Sequence, residues 1–151
     1  MHILHKVALV ALLVVSCVHS KSVTFKNCPD SKVSDVTEVD VEPCSSDPCQ
    51  IKRGVSVAIK VTFKEVSNAT DVQSKVYGYI AGVKVPFPLD NPDACTNCGL
   101  KCPLTGGTSY TFNSSLPVKT IYPAIKLVAQ WELVDSKENE QFCFQVPLQL
   151  I

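Results

Sequence analysis

Three cysteines fall within eight residues of the stretch "DNPDACTNCGLKCPL", at Cys95, Cys98 and Cys102. Thiolates at this spacing could ligate zinc or an iron–sulfur cluster. In an oxidising compartment the same cysteines would form disulfides instead. The compartment in which the chain folds therefore decides between a metal loop and a disulfide loop.

The N-terminus indicates an oxidising compartment. Lys6 precedes the apolar run "VALVALLVV", residues 7–15, and "SCVHS" follows it with Val18 and Ser20 at positions that suit signal-peptidase cleavage. The run is too short to span a bilayer, which needs roughly 20 apolar residues. We therefore predict a signal peptide at residues 1–20, a mature domain at residues 21–151, and secretion.

Removal of residues 1–20 takes away all three histidines, His2, His5 and His19. A mature chain without histidine has no Ser-His-Asp triad, no usual proton shuttle and no imidazole to complete a zinc site. Paired carboxylates could serve a glycosidase, but those of "SDVTEVDVE", residues 34–42, alternate with valines and favour a solvated strand face. The sequence therefore predicts no enzyme, no metal ion and no cofactor.

Charge gives no sign of a nucleic-acid partner. The chain has 14 basic and 14 acidic residues, so the loss of Lys6 leaves a net charge near −1. There is no basic stripe for nucleic acid and no polybasic anchor for a membrane. No internal repeat or linker divides the mature chain, which is the length of one domain.

Strands with a period of two must position any functional residues. Apolar and polar side chains alternate through "GVSVAIKVTFKEV" and "AIKLVAQWELV", and less cleanly through "KVYGYIAGVKV" and "FCFQVPLQLI". Prolines and glycines separate these runs and leave no helical window. Six to eight strands with turns between them predict an all-β, immunoglobulin-like antiparallel β-sandwich.

Seven cysteines remain after Cys17 leaves with the signal peptide. Their spacing suggests a short bridge across "CSSDPC", a second bridge within the opening stretch, and a long one from Cys28 to Cys143. Six cysteines already allow 15 connectivities, so the pairing stays open at this level. A disulfide loop is favoured over a metal loop because secreted thiols usually oxidise.

Several separated motifs, in the same order, carry a resemblance to a known family. These are "DVEPCSSDPCQIKRG", "GVKVPFPLDNPDAC", "LKCPL", "LPVKTIYPAIKLVAQWELVD" and "FCFQVPLQL". They resemble the Niemann-Pick type C2 branch of the MD-2-related lipid-recognition (ML) family, including its arthropod members, from about residue 23 to residue 151. The resemblance implies a sandwich with an apolar cavity between its two sheets and with three disulfides.

The resemblance also assigns individual residues. It implies the disulfides Cys28–Cys143, Cys44–Cys49 and Cys95–Cys102. Cys98 is then a candidate free thiol, although it could instead pair between chains or compete with Cys95 for Cys102. It assigns lipid contact to Phe87, Pro117, Val118 and Tyr122, although such residues also fill ordinary cores. It assigns docking on a membrane-bound acceptor to Gln50, Asp93 and Lys137. Two acceptor triplets predict glycosylation at Asn68 and Asn113.

The function implied by the resemblance is that of a monomeric carrier in the extracellular space or the endosomal and lysosomal lumen. Its guest would be a sterol or a similar apolar lipid, which it would transfer to a membrane or a membrane sterol acceptor through transient contact. Three alternatives remain at this level. They are innate-immune recognition of microbial lipid of the lipid A type, chemosensory carriage of fatty acids or semiochemicals, and a structural sandwich with a filled core.

Overall fold

The computed structural model describes residues 21–31 and 35–151, so the predicted signal peptide lies outside the described residues. The described residues form strands and connecting loops without a helix. The strands are β1 (Lys21–Ser22), β2 (Lys26–Asn27), β3 (Val36–Glu42), β4 (Cys49–Ile51), β5 (Ser56–Lys64), β6 (Val72–Ile80), β7 (Val83–Phe87), β8 (Ser109–Pro117), β9 (Lys126–Asp135) and β10 (Glu140–Leu150). No helix in the described part of the chain is long and apolar enough to cross a membrane.

The strands form two sheets, which confirms the predicted sandwich. One sheet has the order β1-β3-β5-β8, and the other has the order β2-β10-β9-β6-β7 with β4 added beside β10. All pairs are antiparallel except β4 with β10. The strand count exceeds the prediction partly because "KVYGYIAGVKV" contains a hairpin, in which Ala81 and Gly82 take the positive φ angles that a two-residue turn requires.

Alternation along the strands builds the core between the sheets. On β5 the side chains of Val57, Ile59, Val61 and Phe63 are buried, while Lys60 and Lys64 are exposed. Leu127, Trp131 and Leu133 are the buried counterparts on β9. Burying each such side chain contributes about 1.5–3 kcal/mol, so a one-residue slip of either strand would be strongly disfavoured.

Aromatic rings fill one half of the core. Phe142 contacts Phe63 and Phe144 at centroid distances of 5.0 and 5.7 Å, and Phe112 lies 6.0 Å from Trp131. Edge-to-face ring pairs pack densely and leave little space. The other half of the core is mainly aliphatic, and it is there that the sheets leave a void.

The disulfides join Cys28 to Cys143, Cys44 to Cys49, and Cys95 to Cys102, which are the pairings that the resemblance implies. Cys98 is unpaired and buried.

One expectation about β3 is wrong. Asp40 is buried rather than solvated, because the sheet brings its Oδ2 to 3.1 Å from Lys60 Nζ on the neighbouring strand.

Candidate functional site

A cavity of about 60 Å³ lies between the two sheets in the aliphatic half of the core. The side chains that line the cavity carry only three polar groups: the hydroxyls of Tyr77 and Tyr122 and the indole N–H of Trp131. The indole N–H donates to Ser74. None of the lining side chains is a carboxylate, imidazole, thiol or amine, so the cavity offers hydrocarbon contact rather than chemistry. The lining comprises Val41, Ile51, Val57, Ile59, Val76, Tyr77, Phe87, Leu116, Val118, Tyr122, Leu127, Ala129, Trp131, Phe144, Val146, Leu148 and Leu150.

Two aromatic rings close the mouth of the cavity. Phe87 and Tyr122 meet edge to face, with ring centroids 5.1 Å apart. Phe87 ends the edge strand β7 beside Val76 of β6, whose side chain is buried, so its ring turns toward the interior. Tyr122 belongs to the loop at residues 118–125, here called the mouth loop, which connects β8 to β9.

Arg53, in the turn after β4, is hydrogen-bonded to the mouth loop. Its Nη1 donates to the carbonyl oxygen of Tyr122 at 2.9 Å and, more weakly, to that of Thr120 at 3.5 Å. The buried Nε has no acceptor among the described residues. Because this donor is unpaired, Arg53 holds the mouth loop with fewer hydrogen bonds than a guanidinium group can make.

Three of the four residues predicted to contact lipid line the cavity: Phe87, Val118 and Tyr122. Pro117 ends β8 opposite Ser56 and lines a shallow surface groove beside the mouth instead. Their role in lipid binding stays a prediction. Alternation had marked Leu127, Ala129 and Trp131 as inward-facing, but it could not reveal that they border empty space.

The three docking candidates do not come together. Gln50 lies on β4 beside Gln149, near the end of β10 that adjoins the cavity. Lys137 lies in the turn before β10, at the opposite end of that long strand, where its backbone N–H donates to Asp135. Asp93 bridges to Gln73 near the start of β6 and holds Cys95 and Thr96 with its carboxylate. Their docking role stays a prediction.

The thiol of Cys98 is buried, and its surroundings disfavour the reactive thiolate. Burial, and then the nearby charge of Asp93, raises the pKa of its thiol. Its sulfur donates to the carbonyl oxygen of Asp93 and accepts from the amide of Asn91. Within residues 21–31 and 35–151, no three His, Cys, Asp or Glu side chains are grouped so that they could hold a metal ion.

Both predicted glycosylation sites are exposed. Asn68 accepts a hydrogen bond from Gly106 N at 2.8 Å through its oxygen. Asn113 lies on β8, where its backbone N–H donates to Cys98 O. Their use as acceptors stays a prediction.

Comparison with known proteins identifies the family. The family model described as "ML domain" matches residues 22–150. The chain belongs to the ML domain family. It is 39% identical to the mouse "NPC intracellular cholesterol transporter 2", over 92% of each chain, and 35% identical to the Drosophila melanogaster "NPC intracellular cholesterol transporter 2 homolog a", over 91% of this chain and 96% of the relative.

Among solved structures, a Niemann-Pick type C2 protein from the Japanese carpenter ant resembles this ML domain with a TM-score of 0.77 at 26% identity, covering 85% of this chain and 99% of the ant chain.

The cavity of this ML domain is smaller than a sterol would need. An apolar cavity of about 150 Å³ holds benzene, so about 60 Å³ is too small for a multi-ring lipid. Atoms that line a larger void would lose dispersion contacts, which favours closure when no guest is present. A guest therefore requires the sheets and the mouth to separate.

Proposed function

We propose that the protein is a monomeric carrier that holds a sterol or a similar apolar lipid between its sheets and transfers it to a membrane or a membrane acceptor. The single observation that carries this proposal is the cavity, whose lining is hydrocarbon apart from two tyrosine hydroxyls and an indole N–H. The printed name of the mouse relative, a cholesterol transporter, supports a sterol as the guest. No residue is assigned a catalytic role.

Energetics suit reversible binding. Burial of about 400 Å² of sterol hydrocarbon would contribute roughly 10 kcal/mol at about 25 cal/mol per Å². Association and ordering cost about 4–15 kcal/mol, and separation of the closed sheets adds to that cost. A guest bound on these terms can leave again, as a carrier requires.

The mouth also indicates how the guest is oriented. Tyr122, half-buried at the mouth, contributes a hydroxyl to the lining, while Trp131 and Phe144 contact the aromatic half of the core away from the mouth. A hydroxyl on the guest is therefore best accommodated beside Tyr122, with the hydrocarbon directed inward. In that orientation the hydrocarbon enters first, and the polar end of the lipid is the first to leave.

The end of the molecule that carries the mouth suits a membrane with negative charge. Of the four large hydrophobic side chains that the described residues expose, three lie at this end: Ile121 (83% exposed), Val83 (61%) and Ile151 (48%). The surrounding segments, residues 51–57, 80–87 and 117–126, contain Lys52, Arg53, Lys84, Lys119 and Lys126 and no acidic residue. Apolar tips within a basic rim favour transient contact with an anionic bilayer.

The chemistry of the cysteines supports the compartment. Three disulfides persist in oxidising surroundings, which include the extracellular space and the lumen of the secretory route. We propose that residues 1–20 direct the chain there and that it acts outside the cell or in an endosomal or lysosomal lumen. Glycosylation at Asn68 and Asn113 belongs to the same proposal, since both side chains are exposed.

Extraction of the purified protein with organic solvent, followed by mass spectrometry, tests the proposal, together with titration by a fluorescent sterol. We expect a recovered lipid or saturable sterol binding. Ala129→Phe, which fills the cavity, should abolish binding, whereas the matched change Val128→Phe on the next residue of β9, which faces the other side of the sheet, should not. Absence of both a recovered lipid and sterol binding would contradict the carrier proposal and favour a filled structural sandwich.

Competition separates sterol carriage from the alternatives. Lipid A and a long-chain fatty acid are each titrated against bound fluorescent sterol. Displacement by lipid A at lower concentration than unlabelled sterol would favour immune recognition, and stronger displacement by fatty acid would favour chemosensory carriage. We expect unlabelled sterol to displace best.

A further inference from the structure

Gly78 lies under the ring that closes the cavity. A Cβ added at this position would stand 2.4 Å from Cε2 of Phe87 and 3.2 Å from Cδ1 of Leu127. The φ angle of Gly78 is not positive, so the backbone itself does not call for glycine. Glycine within a strand generally weakens it and often marks a close approach, which here is the approach of the Phe87 ring.

The neighbouring side chains leave a depression in the sheet at Gly78, which the Phe87 ring covers. Across the sheet, Gly78 pairs with Ala129 of β9. The rows on either side are larger, with Val76 beside Trp131 in one direction and the Leu127 row in the other. This face of the sheet is therefore lowest beneath Phe87, and the larger side chains make it higher on both sides.

We infer that Gly78 determines which guests the cavity admits, by letting the Phe87 ring lie close to β6 and so leaving width for a rigid, multi-ring lipid. This inference rests on the proposed carrier function. With alanine at position 78, the ring must move by roughly 1 Å to recover an ordinary carbon–carbon contact of about 3.5 Å. The movement is directed away from Gly78, and the ring that moves is the one already in edge-to-face contact with Tyr122 at the mouth.

Guests of different shape respond differently to this narrowing. A fused-ring lipid is rigid and cannot change its cross-section, whereas a single acyl chain is slim and bends around an obstruction. One methylene in a hydrophobic pocket changes discrimination by about 10- to 200-fold. Alanine at position 78 should therefore shift the selectivity of the cavity from sterols toward fatty acids.

The test measures dissociation constants for a fluorescent sterol and a fluorescent fatty acid with the whole mature protein and with Gly78→Ala. We expect the ratio of sterol affinity to fatty-acid affinity to fall by about tenfold or more. Gly106→Ala is the matched control, since Gly106 also lacks a positive φ and its added Cβ would meet only backbone atoms of Val66 and Ser67, at the other end of the molecule. Its ratio should equal that of the wild type, and thermal unfolding of each variant verifies that it is folded.

A double variant tests whether the change in selectivity caused by Gly78→Ala depends on the Phe87 ring. In a Phe87→Ala protein the ring is absent, so adding Gly78→Ala should leave the selectivity ratio unchanged. An unchanged ratio in Gly78→Ala alone, or equal losses for both guests, would overturn the inference while leaving the carrier proposal intact. Failure of the wild-type protein to bind either guest would instead overturn the proposed function itself.

Discussion

Glu65, just after β5, is a carboxylate enclosed by the fold. Its side chain is about 1% exposed, and Oε1 accepts from the backbone N–H groups of Val66 and Ser67 at 2.9 and 3.4 Å. The second oxygen, Oε2, has no hydrogen-bond partner among the described residues. Burial raises the pKa of this carboxyl because the charged form loses its hydration.

The raised pKa predicts that Glu65 makes the fold more stable in acid. As the pH falls through the folded-state pKa, the folded protein binds a proton that the unfolded chain, with its lower pKa, does not yet bind. The free energy of unfolding therefore rises until the pH passes below the ordinary glutamate value. Glu65→Gln should remove this rise, and thermal unfolding of both proteins between pH 4 and pH 7.5 measures it.

Comparison of the two proteins isolates Glu65 from opposing groups. The side-chain hydrogen bond from Asn139 lowers the pKa of Asp135. The stability that ionised Asp135 contributes is therefore lost as the pH falls. That contribution is common to the wild type and the variant, and it cancels in the difference. Parallel curves of unfolding temperature against pH for the two proteins would show that Glu65 has no such role.

At the scale of elements, the mouth loop is held by few contacts. The backbone ties the two ends of the loop, with bonds from Gly54 N to Val118 O, from Val118 N to Val55 O and from Leu150 N to Ile125 O. Between those ends, Arg53 supplies two side-chain hydrogen bonds, to the carbonyl oxygens of Thr120 and Tyr122. Tyr122, which closes the cavity, moves with this loop. The strength of this attachment should therefore set how quickly a guest exchanges.

Arg53→Ala should speed the release of a bound guest. Each hydrogen bond contributes about 0.5–1.5 kcal/mol, so we expect the dissociation rate of a fluorescent sterol to rise by roughly tenfold. Stopped-flow transfer to acceptor vesicles measures that rate, and Lys64→Ala, at an exposed residue at the end of β5 far from the mouth, is the control. An unaltered release rate in Arg53→Ala would mean that the guest leaves by another route.

At the scale of the whole molecule, apolar tips and basic residues collect at the end with the mouth, where Ile121 is the most exposed large hydrophobic residue. Backbone hydrogen bonds join the elements of this end, from Arg53 N to Ile151 O and from Leu150 N to Ile125 O. The opposite end holds Asp135, Glu138 and Glu140, near the buried Glu65. The proposed membrane contact would therefore be made through the end with the mouth.

Ile121→Asp should weaken association with such a surface. Inserting an isoleucine side chain into a bilayer contributes up to about 1.5–3 kcal/mol, so we expect a loss of roughly tenfold or more in vesicle binding. Cosedimentation with vesicles of phosphatidylserine and phosphatidylcholine measures it. Val66→Asp makes the same kind of change at the other end and should have no effect, so equal losses in both variants would refute an oriented contact.

The three disulfides should contribute unequally to stability. Cys28 and Cys143 are separated by 115 residues, and Cys44 and Cys49 by only 5. The chain-entropy relation gives about 5 kcal/mol for the first bridge and about 2 kcal/mol for the second. Urea unfolding of the paired Cys→Ser variants should show the larger loss for Cys28 and Cys143, and the reverse order would mean that local geometry outweighs loop entropy.

Local patterns predicted much of this fold. The alternation in β5 and β9 is a property of neighbouring residues, so it indicated the strands and their inward faces before any pairing was known. It failed at "KVYGYIAGVKV", because a turn at Ala81 and Gly82 interrupts a run that looks continuous. It also failed at Asp40, since the Lys60 that accompanies its burial lies on another strand.

The sequence by itself determined the strand class, the inward faces and, through separated motifs, the family. Only the tertiary structure decided that the aromatic half of the core is filled, that the aliphatic half keeps a small closed cavity, and that Phe87 lies on Gly78 and against Tyr122. The physical reason is that alternation specifies which face of a strand is buried, whereas empty space depends on the summed volumes of side chains from distant strands.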